Sequence, residues 1–68
     1  MNDDEAWLLE HGYFVEVEEE PPGIYWANLV NRENPKGRVR NYGRGDSPDS
    51  AIRRARDRFD VEQIGGAP

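Results

Sequence analysis

Between Tyr13 and Glu18 apolar and acidic side chains alternate. Tyr13, Val15 and Val17 fall on one side, Phe14, Glu16 and Glu18 on the other. A period of two sends successive side chains to opposite faces of an extended backbone, so this stretch predicts a half-buried β-strand. Pro21-Pro22-Gly23 ends it. Pro22-Gly23 suits the centre of a type II turn, because proline presets the first φ and glycine accepts the positive second one. From Ile24 to Val30 the alternation returns, with Tyr25, Ala27 and Leu29 on one side and Ile24, Trp26 and Asn28 on the other. Asn31 to Gly37 is polar and broken by Asn34-Pro35 and Gly37. Arg38 to Arg44 reads as a third strand, weakened where Gly43 interrupts it.

The period then lengthens. Ser47 is an N-cap residue, Pro48 fits the first helical position, and Asp49 lies in the first turn, where the helix dipole favours an acid. Ala51, Ile52, Ala55 and Phe59 form one apolar stripe, with Arg53, Arg54, Arg56 and Arg58 on the outward side. Val61 and Ile64 pack loosely beyond it. Near the N-terminus, Asn2 or Asp3 caps a short helix with an acidic first turn, an apolar side of Trp7 and Leu8, and Gly12 as its stop. The predicted class is α+β: a three-stranded antiparallel sheet, a C-terminal helix on one face and a short N-terminal helix. Residues 1–12 make the N-terminal helix or arm, 13–62 a single βββα domain, and 63–68 a flexible tail.

Sixty-eight residues without cysteine, and with His11 as the lone histidine, leave no disulfide or zinc cluster to reinforce so thin a core. No cofactor or metal is expected. No uncharged stretch approaches the roughly 20 residues of a bilayer span, and the acidic start differs from a secretory leader, so a cytoplasmic location is expected. The net charge of −5 hides a division: residues 1–30 hold eight acids and no base, whereas residues 31–59 hold all nine bases and four acids. Such a split lets the two halves attract, or presents different faces to different partners.

Candidate chemistry is that of binding. Phe14, Trp26, Arg40 and Tyr42 share the sheet face away from the second helix if the strands form a meander, unless the first helix covers that face or a bulge near Gly43 turns Tyr42 inward. Tryptophan, tyrosine and arginine concentrate binding energy at protein interfaces, and aromatics with arginine also stack on bases. Glu16 and Glu18, with Glu19 and Glu20, form an acidic edge that protects a strand or docks a basic partner. Arg44, Arg53, Arg54, Arg56 and Arg58 make nucleic acid the alternative ligand, opposed by the interleaved Asp49, Asp57 and Asp60. A nucleophile needs a base and an orienting group within reach; Ser47 is committed to capping and His11 ends a marginal helix, so no catalytic residue is expected.

Tyr13-Phe14-Val15-Glu16-Val17, a turn ending in glycine, Tyr25-Trp26-Ala27, and Gly45-Asp46-Ser47-Pro48-Asp49-Ser50-Ala51 with Ala55 one turn on form a familiar series. Together they resemble the N-terminal domain of HicB-type antitoxins, a partial RNase H-like βββα module. The resemblance covers about residues 13–59. It implies a non-catalytic domain that binds a small basic protein. Two departures stand out: Asn31 to Gly37 replaces a Pro-Asp-Leu-Pro-Gly-Cys-like stretch, and the family's C-terminal DNA-binding segment is not expected here. The remaining expectation is self-association through the open face or an edge strand, giving a homodimer.

Overall fold

The computed structural model describes residues 2–65. The order is α1 (Asp3–Glu10), β1 (Tyr13–Glu19), β2 (Tyr25–Asn31), β3 (Arg38–Gly45) and α2 (Pro48–Phe59), followed by a π-helical turn, Asp60–Ile64. It is the α+β arrangement the periodicities predict. Of the tail expected at 63–68, residues 63 and 64 belong to that turn, and residues 66–68 lie outside the described residues.

The sheet runs β1-β2-β3, antiparallel throughout. Its first connection is the expected turn: the Ile24 N–H donates to the Pro21 carbonyl at 3.0 Å, and Gly23 takes φ +87°. That hydrogen bond holds Ile24 in the turn, so β2 starts one residue later than the alternation suggested.

Asn2 caps α1, its Oδ1 accepting the Glu5 N–H at 2.7 Å. Ser47 caps α2 reciprocally with Ser50, a capping box that satisfies donors the first helical turn otherwise leaves open. Both helices pack on the same side of the sheet. The buried core is Leu8, Ala27, Leu29, Tyr42, Ala51, Ile52, Ala55 and Phe59, with Trp7, Tyr13, Val15 and Tyr25 packed around it. Trp7 and Tyr13 meet Phe59 edge-on, with centroids 5.7 and 5.4 Å away, the arrangement ring quadrupoles favour. The first helix therefore lies beside α2 and leaves the opposite sheet face uncovered.

Gly43 and Gly45 set how closely α2 approaches. A Cβ on Gly43 would collide with the Ala51 carbonyl and stand 2.6 Å from the Ala55 nitrogen. One on Gly45 would collide with Ser50 Oγ and stand 2.6 Å from the Ala51 nitrogen. The glycine that weakens β3 as a strand is what lets helix backbone lie against it.

Two sequence expectations need correction. Tyr42 does not lie on the open face. Ala27 pairs with Gly43 and Leu29 with Val39, so Asn28 alone faces residues 40–42, and Asn41 adopts φ +56°. This bulge rotates Tyr42 into the core, where it is 7% exposed. Val61 and Ile64 do not pack: they are 64% and 52% exposed, because the wider π-helical turn leaves the apolar stripe at Phe59.

Candidate functional site

The strand register defines the uncovered face. Paired residues share a side, so Phe14, Val30 and Arg38 form one row across the sheet and Glu18, Trp26 and Arg44 another. Between them Glu16 pairs with Asn28, which faces the bulge. Both complete rows run from β1 through an apolar β2 residue to a β3 arginine.

The face is held in place by its own polar contacts. Arg38 reaches across β2 to Glu16, with an ion-pair distance of 3.2 Å. The Arg44 guanidinium lies 5.6 Å from the Trp26 ring centroid, while Trp26 Nε1 donates to the Glu20 carbonyl at 2.7 Å. Phe14 remains 51% exposed, an unusual placement for a phenylalanine in a strand. Arg40 is exposed in the bulge.

Asn28, which the alternation puts on the side of Ile24 and Trp26, is 1% exposed. Its Oδ1 accepts the Asn41 N–H at 2.8 Å and its Nδ2 donates to Glu18 Oε1 at 3.0 Å. A buried amide with both ends bonded stabilises the bulge and orients Glu18. The readable signal was an asparagine inside an otherwise apolar run, Tyr25 to Val30.

The four helix arginines go different ways. Arg56 pairs with Asp4 at 2.9 Å and lies 4.8 Å over the Trp7 ring, clamping α1 to α2. Arg58 lies 4.2 Å over Tyr42 and pairs with Glu62 at 3.1 Å. Arg53 pairs with Asp57 at 3.4 Å on the exposed side. Arg54 lines an open cleft of about 380 Å³ with Ile24, Arg44, Gly45, Asp46 and Ser50. Two of the four thus serve the fold directly.

Tyr42 donates to Glu62 Oε1 at 2.7 Å. Burial, and then the adjoining carboxylate that accepts this bond, push the phenol up to about 12. The same bond, with that from Arg58, holds the Glu62 carboxyl below its usual range. Tyr42 is therefore neutral over the ordinary pH range and is a locked structural donor rather than a proton carrier.

Among the described residues no group of three or more acids and histidines converges as a metal site, and no helix is long and apolar enough to cross a membrane. The fold and face define a two-layer α+β domain with one sheet surface open. No protein-family model, curated protein or solved structure matches the chain.

Proposed function

We propose that this chain is a small non-catalytic interaction module, HicB-like in pattern, that binds a basic protein segment along β1. The observation that carries the reading is the character of that strand. β1 is an edge strand of seven residues, regular along its pairing with β2. It bears Glu16, Glu18 and Glu19, continues into Glu20, and offers the half-exposed Phe14 at its start. The opposite edge, β3, is broken by its bulge and fits an added strand poorly. An incoming strand gains main-chain hydrogen bonds along β1, and basic side chains on it meet the glutamates. The likeness of Tyr13–Val17 and Gly45–Ala51 to the antitoxin pattern points to the same class of partner.

The test is co-purification at moderate salt followed by hydrogen exchange on the complex. The expected result is one stoichiometric basic protein, released by high salt, with new protection at the β1 amides and weaker capture by Phe14→Ala. Absence of any protein partner, or protection confined to α2, removes the reading.

Nucleic acid is the second reading, favoured by Arg44 and Arg54 lining one cleft. It requires binding that falls steeply with salt, and a flat titration at about 50 mM salt eliminates it.

A further inference from the structure

We infer that the uncovered sheet face binds a second copy of this chain, in a face-to-face dimer whose twofold axis runs parallel to the strands. The inference is separate from the partner reading, because it uses the face of the sheet and leaves the outer edge of β1 free.

The argument is one of charge geometry. On this face the acids belong to β1, the arginines to β3, and the central strand offers Trp26, while Asn28 and Val30 are buried beneath the neighbouring side chains. Two such faces pack in only a few symmetric ways. A twofold axis across the strands lays β1 on β1, glutamate on glutamate, which like-charge repulsion opposes. An axis along β2 keeps each row in place and reverses its order. Glu18 of one copy then faces Arg44 of the other, Phe14 faces Arg38, and Trp26 sits near the axis beside its counterpart. Phe14 gains a guanidinium over its exposed ring. Glu16 meets the bulge row, where Arg40 is the exposed cation.

The side chains are already oriented for this. Glu18 is held by Asn28 and Arg44 lies against Trp26, so neither pays much ordering entropy on docking. The interface is small. A seven-residue strand spans about 23 Å and the outer strands lie about 10 Å apart, a footprint of about 230 Å² per copy that is well below a standard specific interface and fits only a weak one. Association in the micromolar range or weaker follows.

The experiment is sedimentation equilibrium of the purified chain up to about 1 mM at low salt, with far-UV circular dichroism to verify folding. The wild type is expected to approach twice the chain mass, less so at high salt. Glu18→Arg and Arg44→Glu should each weaken the dimer about tenfold or more, and the double variant Glu18→Arg/Arg44→Glu should recover most of that loss. Glu18→Gln, which keeps an acceptor for Asn28, should weaken it less than Glu18→Arg. A monomer throughout overturns the inference, whether or not the face instead takes up a basic peptide. So does a dimer indifferent to both reversals, or a folded double variant that stays monomeric. Because no other protein is present, none of these outcomes bears on the β1-edge reading.

Discussion

The two sides of the sheet differ in what β3 offers each of them. Toward the helices it presents Gly43 and Gly45, and the backbone of α2 comes within reach of an added methyl group. Away from them it presents Arg38 and Arg44, whose long side chains lie across the sheet and fill space that no helix occupies. One side is closed by the absence of side chains, the other occupied by long charged ones. Shape excludes water around Ala27, Leu29 and Tyr42 on the first. On the second a network of amide, carboxylate and guanidinium groups covers Asn28 while leaving charge and an aromatic ring on the surface.

The comparison breaks most sharply at Gly43. Gly43→Val drives a branched side chain into helix backbone that has no rotamer to give, and should destabilise the domain by about 3 kcal/mol or more in urea denaturation. If it melts like the wild type, α2 does not sit where it is described. The open side has its own fixed point in Asn28. Asn28→Leu strips the Asn41 N–H of its acceptor, and a loss of about 2 kcal/mol is expected, with the Asn41 amide losing exchange protection.

Tyr42 sharpens the comparison because the bulge carried it from one side to the other. Tyr42→Phe keeps the ring in the core and removes only the bond to Glu62, so about 1 kcal/mol is expected. The pH dependence has a definite sign. A phenol raised from 10.0 to about 12 contributes its full stability below about pH 10 and loses it as pH climbs to about 12. A carboxyl lowered from 4.5 contributes fully above that value and loses its contribution as pH falls through the folded value. Thermal melts of Tyr42→Phe should lack the part of the alkaline decline above pH 10 that comes from this phenol. An unchanged alkaline profile would show that the hydroxyl is not bonded as described. The smallest effect belongs to the open face: Glu16→Gln weakens an exposed ion pair and should change stability by less than about 0.5 kcal/mol, vanishing at high salt.

Much of this is legible in the chain, because the patterns are local. Tyr13 to Glu18 alternates, Ser47-Pro48-Asp49 starts a helix, and Ala51, Ile52, Ala55 and Phe59 share a stripe; each pattern is complete within a dozen residues. Phe14 and Trp26 were assigned to the open face by that same alternation. The side of Tyr42 stays open in the sequence: a two-residue period fails at a bulge, and whether the bulge near Gly43 forms depends on a partner strand distant in sequence. Arg56 and Arg58 read as solvent residues since nothing in their spacing reveals Asp4 or Tyr42 beside them.

The local order of residues by itself determined the elements, their amphipathic sides and the division of charge between the two halves. Tertiary structure decided which side α1 covers, that Gly43 and Gly45 are contact points rather than weak links, and that Asn28 is buried with both amide ends bonded. The physical reason is range. Backbone preference and periodicity act over a few residues, whereas strand register, close approach of backbones and buried hydrogen bonds exist only once distant segments meet.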